Sequence, residues 1–321
     1  MTAATAAHCR LYRRFGIQRI LLANQLVSPS AVAWVCEELR RDREFEFFCL
    51  VDSPRGVALL DSQLTRFGAP RPLPVLAEVG FAGGRAGARG RDALLATVAA
   101  ARAAVNLELV GLECYEGLFA AADTAASLDL VEEYLEGVAD SFLALLGAGA
   151  LPHGPLLSAG GSAFFDLVVA KLGPMPATLV LRSGCYVTQD GGFYDAVSPL
   201  GGRGERVLEN AIELWSTVLS RPEPGFAVVD FGRRDAPFDQ GLPTPTHRRA
   251  GTGPEVRLAG AEVVRLSDQH AHLSIPESEQ LAVGDLVRCD ISHPCGAFDR
   301  WRVIPVVDRE RAVVDAVMTF F

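Results

Sequence analysis

The 321-residue chain is almost without lysine: of its 30 basic residues, only Lys171 carries an amine. Chemistry that needs a lysine side chain, Schiff-base formation above all, therefore has a single candidate. Long apolar runs are missing too, and nothing approaches the ~18 residues that mark a membrane-spanning helix. The opening MTAATAAHCRLYRRFG sets Arg10, Arg13 and Arg14 in an alternating pattern, without the apolar core of a secretion signal. No basic block interrupts the net charge of −9, which argues against a nucleic-acid surface. The seven cysteines are scattered, odd in number and without framework spacing, so the expectation is a cytoplasmic protein with thiols. A G-x-S-x-G elbow, a P-loop and a paired C-x-x-C are all absent, which removes support for a serine hydrolase or a nucleoside-triphosphate enzyme.

What is present is alternation. Short β-like runs (RILLAN, FEFFCLVDS, PLPVLAEVG, LELVGLECY, GPLLSAGG, ATLVLRSG) are separated by helical patterns up to AFFDLVVAKLG. Ser28 or Ser30 is placed to cap the first of the helices between these runs, and Gly68 to end the second. Strands apolar on both faces and alternating with helices predict a parallel α/β architecture, either a (β/α)8 TIM-type barrel or an open doubly wound sheet. MTAAT followed by AAHCRLYRRFG reads as a strand end and its helix, which makes seven units where a barrel has eight. After about residue 205 the period changes to Pro- and Gly-punctuated β runs, so residues 1–205 form an α/β domain and 206–321 a mostly β domain. Residues 232–256, rich in Pro, Gly and charge, are expected as one long loop.

Three constellations can carry chemistry. The Gly-rich turns SAGGSAFFD and RSGCY follow the last two barrel-like strands, where α/β barrels often hold phosphate; each also suffices simply to turn the chain. Arg85, in the glycine-flanked EVGFAGGRAGARG, suits an anionic or phenolate oxygen, or sits solvated in its loop. SHPC sets His293 and Cys295 at i and i+2, one face of an extended strand, a weak signal for a shared soft metal. His270 and His272 in SDQHAHL have the same spacing and read as supporting groups or one polar strand face.

Taken together, ILLANQLV, EVGFAGGRAG, GLECYEG, LSAGGSAFFD, LRSGCYVTQD, SRPEPGFAVVDFGRRD, SDQHAHL and SHPCGAFDRW resemble the fold-type III family of D-serine dehydratases, D-threonine aldolases and bacterial amino acid deaminases, relatives of alanine racemase. The resemblance implies an alanine racemase-like barrel that binds pyridoxal 5'-phosphate (PLP) and a C-terminal β domain that carries a divalent metal site, zinc in the dehydratase branch. By position it implies that Gly160, Gly161, Ser162, Ser183, Gly184 and Cys185 hold the phosphate, that Arg85 and Tyr115 lie near the cofactor ring, and that His293 and Cys295 bind the metal. Gln189 and Gly296–Ala297 depart from the family's usual His and Thr-Thr. The implied reaction converts a D-3-hydroxy amino acid such as D-serine or D-threonine to a 2-oxo acid and ammonia; a homodimer is also implied.

The resemblance places the Schiff-base lysine on a first barrel strand, ahead of the residues that open this chain. Strand, helix and lysine are therefore expected to be lacking, so that no catalytic residue is assigned and the chain as written is expected to be an inactive, truncated form. A non-catalytic PLP- or metal-binding relative and an enzyme of the D-threonine aldolase type are the alternatives. Lys171, well into a helix, is expected to be a surface lysine.

Overall fold

A computed structural model describes residues 1–120, 124–205 and 207–320, which fall into two compact units, Met1–Ser183 and Gly184–Phe321. The first unit runs β1 (Thr2–Ala3), α1 (Ala6–Arg14), β2 (Arg19–Gln25), α2 (Pro29–Arg41), β3 (Glu46–Val51), α3 (Pro54–Phe67), β4 (Leu73–Gly80), β5 (Ala88–Arg89), α4 (Gly90–Ala103), β6 (Leu107–Cys114), α5 (Thr124–Gly147), β7 (Leu156–Ala159), α6 (Phe165–Leu172) and β8 (Thr178–Leu181). The strands pair in parallel in the order β1-β2-β3-β4-β6-β7-β8, with β5 beside β4. This is the barrel-type α/β sheet, and the seven strands in its path match the seven units counted in the sequence. Among the described residues no pairing joins β1 to β8.

Local chemistry explains most of these boundaries. Phe47, Cys49, Leu50 and Val51 of β3 and Val75, Leu76 and Ala77 of β4 are buried, as strands sandwiched on both sides must be. Helix α3 starts where Ser53 Oγ accepts the Gly56 amide at 3.2 Å, with Pro54 preset for the first turn. It stops at Gly68, whose φ of 65° costs a glycine little. Ser28 occupies the cap position of α2, with its hydroxyl directed to Ser30 rather than to the helix amides.

The second unit is built on a seven-stranded sheet of antiparallel pairs. It contains α7 (Phe193–Val197), β9 (Glu213–Glu223), β10 (Phe226–Val229), β11 (Thr244–Arg249), β12 (Val256–Arg257), β13 (Glu262–Leu266), β14 (Ala271–Ser274), β15 (Leu286–Asp290), α8 (Cys295–Phe298), β16 (Val303–Val307) and β17 (Val313–Met318). The sheet order is β12-β11-β15-β9-β10-β14-β13, and β16 and β17 form a separate hairpin. Val218, Ala227, Val229, Phe231, Leu273, Val287 and Cys289 fill its core.

The expected long loop at 232–256 is interrupted by β11, which lies inside the sheet between β12 and β15. Its sequence, TPTHRR, lacks the apolar alternation that marks a strand, and its register slips between Pro245 and His247, where proline cannot donate to the ladder. The strand is held by side chains as well: Arg288 on β15 reaches Thr246 Oγ1 and, at 2.6 Å, His247 Nδ1. No helix among the described residues is long and apolar enough to cross a membrane.

Candidate active site

The C-terminal ends of the barrel strands bring charge into an apolar frame. Glu78 on β4 and Glu113 on β6 are 4% and 1% exposed, and Arg182, just past β8, has a side chain 6% exposed. Arg182 pairs with Glu113 and donates at 2.8 Å to the Cys114 carbonyl. Gln25, at the end of β2, donates to Glu78 at 2.5 Å.

Burial dominates the acidity of this group. Glu113 is pushed up to about 7, chiefly by loss of water; Arg182 pulls it down and Glu78 pushes it further up. Glu78 is raised for the same first reason, with Gln25 opposing. Glu113 Oε2 and Arg182 Nε have no hydrogen-bond partner although both are buried, the mark of a polar cluster that is only partly satisfied.

The residues expected at a cofactor meet in a chain of contacts. Arg85 lies over the Tyr115 ring with its guanidinium carbon 4.9 Å from the centroid. Arg89 organises the loop beneath it by donating to the carbonyls of Gly84, Arg85, Ala86 and Gly87. Tyr115 packs on Gly161, where a Cβ would stand 3.3 Å from the ring. Ser183 Oγ donates to the Gly161 carbonyl at 2.9 Å. Gly160 has φ 115°, a conformation that excludes other residues, and its missing Cβ leaves room for the Arg182 amide. Ser162 is half-buried beside this turn.

The turn already holds an anion. Glu116, fully buried, accepts the Gly161 amide on Oε1 at 2.6 Å and the Gly160 amide on Oε2 at 3.2 Å. The glycine motif suggests a phosphate for these two amides; a carboxylate of the chain takes them instead.

In the second unit, Gly184 and Cys185 open the turn that follows β8, where Cys185 begins a single 3-10 turn. His293 and Cys295 do not lie on extended backbone, so the expected i, i+2 face does not form. His293 has φ 64° and Cys295 starts helix α8. Nδ1 of His293 meets Asp239 Oδ2 at 2.6 Å, and Cys295 Sγ lies 3.8 Å from Cys185 Sγ. Among the described residues no group of three or more His, Cys, Asp or Glu side chains is placed to hold a metal. His272 belongs to a polar strand face, with Arg265 and Ser267 at 3.3 and 3.2 Å.

Lys171 ends α6 far from this chemistry in role: its amine is ion-paired at 3.0 Å to Glu132 and 2.6 Å to Glu136 on α5. Glu78, Glu113, Glu116 and Arg182 do not stand out by motif in the sequence. A signal exists all the same, since a glutamate inside an apolar strand such as PLPVLAEVG or LELVGLEC is an expensive placement that needs a reason.

Residues 211–307 match the family model described as "Putative serine dehydratase domain". Over 239 residues the chain is 27% identical to a 3-hydroxy-D-aspartate aldolase of Paracoccus denitrificans, covering 72% of this chain and 58% of the relative. It is 25% identical over 229 residues to a D-threonine aldolase of an Arthrobacter species, covering 71% and 56%. The chain thus spans less than two thirds of the length of either relative. Its fold is similar to that of the D-threonine aldolase of Filomicrobium marinum (TM-score 0.81, 22% identity, 98% of this chain and 80% of that one). It is also similar to that of an alanine racemase-like protein of Idiomarina loihiensis (TM-score 0.74, 19% identity, 97% and 80%). The matched domain and the sequence relatives make the chain similar to the D-threonine and 3-hydroxy-D-aspartate aldolases, and its fold is similar to that of the alanine racemase-like proteins.

Proposed function

We propose that the protein serves a PLP-dependent lyase reaction on a D-3-hydroxy amino acid such as D-serine or D-threonine, giving a 2-oxo acid and ammonia. The observation that carries the reading is the unbroken contact chain Arg85–Tyr115–Gly161–Ser183 at the strand ends of an α/β barrel. PLP, when bound, supplies an electron sink for charge that develops at the substrate's α-carbon.

The residues fit such a group. Arg85 offers a permanent positive charge above an aromatic ring, suited to a phenolic oxygen. Ser162 and Ser183 supply hydroxyls, and the Gly160–Gly161 turn, which already binds a carboxylate, has the geometry for an anion once Glu116 withdraws. Gly184 and Cys185 complete the set of cofactor residues that the resemblance implies. Glu113, at about 7, gains and loses its proton near neutral pH, the range in which a general acid–base works.

The Schiff-base nitrogen is not among these 321 residues, since the single lysine is tied to α5. Zinc at His293 and Cys295 belongs to the same proposal on resemblance alone, and no step is routed through it. A homodimer is proposed on the same footing.

The curated relatives favour a second reading, retro-aldol cleavage, because both are aldolases by name. Equilibrium dialysis of the chain with PLP, then incubation with D-threonine and a primary amine standing in for the lysine, separates the cases. Dehydration releases ammonia and retro-aldol cleavage releases glycine. Arg85→Ala should weaken PLP retention at least tenfold; unchanged retention would remove the proposed site.

A further inference from the structure

Helix α4 packs against α3 and helix α5 against α6, and between α4 and α5 a groove of about 430 Å3 lies open beside the end of β4. Its size falls within the ~300–1,000 Å3 usual for small-molecule sites. From its walls, its two unpaired charges and one glycine, we infer that this groove binds a free α-amino acid with an apolar side chain. Arg85 and Tyr115 are not part of its lining, so the site is separate from the cofactor residues and does not depend on the lyase reading.

The walls are apolar and held in place. Phe81 stacks on Phe119 with ring centroids 4.2 Å apart and planes 25° from parallel, and Tyr134 meets the two rings at 5.3 and 5.5 Å. Tyr134 Oη donates to the Val79 carbonyl at 2.5 Å, which uses the hydroxyl to anchor the wall and leaves the ring as lining. Leu94 from α4 and half-exposed Leu130 from α5 extend the apolar surface on either side. A flat or branched apolar group entering here exchanges water for ring faces and leucine methyls.

Helix α5 turns one stripe to the groove: Leu130, Glu133, Tyr134, Gly137, Val138 and Ser141. Gly137 stands in the middle of that stripe, and a glycine inside a helix is less stable than an alanine there. Neither backbone nor crowding asks for it. Its φ is not positive, and a Cβ would meet nothing within 4 Å. What the missing side chain does is keep the groove open between the two helices.

Charge decides the class of ligand. Arg91, in the first turn of α4, and Glu133, on α5, are exposed residues of the lining, one from each helix. Neither has a hydrogen bond or ion pair among the described residues. A carboxylate suits the Arg91 guanidinium and an ammonium suits Glu133. A carboxylate, an ammonium and an apolar side chain on one small molecule make an α-amino acid.

The test is calorimetric titration of the whole chain with racemic phenylalanine. Two analogues run beside it: 3-phenylpropionate, which lacks the ammonium, and phenethylamine, which lacks the carboxylate. The expected result is saturable binding of phenylalanine, with each analogue at least tenfold weaker. Glu133→Gln should erase the preference over 3-phenylpropionate, and Arg91→Gln the preference over phenethylamine. Gly137→Leu fills the groove and should abolish binding, while its thermal melt stays at or above the parent's because leucine is the better helix former. Should that variant fail to fold, the two glutamine variants at exposed positions still decide the question. Arg85→Ala should leave phenylalanine affinity unchanged. Equal affinities for the three compounds would overturn the inference, as would no saturable heat up to the solubility limit of phenylalanine. Binding that survives in a folded Gly137→Leu variant, or that is lost with Arg85→Ala, would place the ligand elsewhere and overturn it too. Self-association of the chain that Gly137→Leu abolishes would make the groove an interface between copies, which also overturns it.

Discussion

Replacing Glu113 by glutamine tests the charge buried at the strand ends. Glutamine keeps the size of the side chain and an oxygen for Arg182, but it cannot ionise. In the folded protein Glu113 rises from its ordinary 4.5 to about 7, with burial as the largest cause. Between those two pH values the folded state holds a proton that the unfolded state has released. Stability from this group is therefore complete below pH 4.5 and is lost as pH climbs through 7. At about 1.4 kcal/mol for each pH unit, the loss amounts to about 3 kcal/mol. The variant has no such loss. Relative to its position at pH 4.5, it should gain about 3 kcal/mol on the parent by pH 7. Glu78 and Glu116 are raised in the same direction and remain in both proteins, and loss of the Glu113 charge relieves its repulsion with Glu78, which adds to the variant's gain rather than opposing it. Urea unfolding from about pH 4.5 to 8, followed by hydrogen exchange in peptides from β4 and β6, reads the first unit separately. Parallel pH profiles for parent and variant would refute the reasoning. A variant that loses ground as pH rises would show that attraction to Arg182 outweighs burial.

Other substitutions follow from the same geometry. Gly160→Ala places a Cβ at φ 115° and 3.2 Å from the Arg182 amide, and should cost about 1–3 kcal/mol in chemical denaturation. Gly68→Ala, also at positive φ but in open space, should cost about 1 kcal/mol and serves as its control. Glu116→Ala releases the Gly160 and Gly161 amides, so inorganic phosphate should bind at least tenfold more tightly by calorimetry; equal affinities would mean the turn does not select anions. Arg311 reaches Glu213 and Glu255 at 2.7 and 2.8 Å and lies over Trp215, fastening the tip of the β16–β17 hairpin. Arg311→Ala should speed hydrogen exchange across residues 303–318 while leaving β9 and β15 protected.

Much of the first unit is legible in the sequence alone, because its strands and helices obey local rules. A strand buried on both faces must be apolar through its buried stretch, as FFCLV after Glu46 is, and a helix advertises its ends through residues such as Ser53, Pro54 and Gly68. Strand β11 breaks those rules. TPTHRR carries no apolar stripe, and its place between two strands depends on ladder hydrogen bonds and on Arg288 from another element. Arg85, Tyr115, Gly161 and Ser183 stand out by motif, and the fold does bring them into contact. The partner of Gly160 and Gly161 is not legible in the same way, since Glu116 lies 44 and 45 residues away in the chain.

The sequence by itself determined the alternation of strands and helices, the number of strand–helix units in the first domain, and the presence of one lysine at position 171. Those are properties of residue type and near-neighbour spacing. Only the tertiary structure decided that Glu113 is held near 7, that a carboxylate fills the glycine turn, and that Cys295 faces Cys185 while His293 turns to Asp239. Each of these depends on which distant groups share a few ångströms of space and how little water remains between them, and spacing along a chain does not encode that directly.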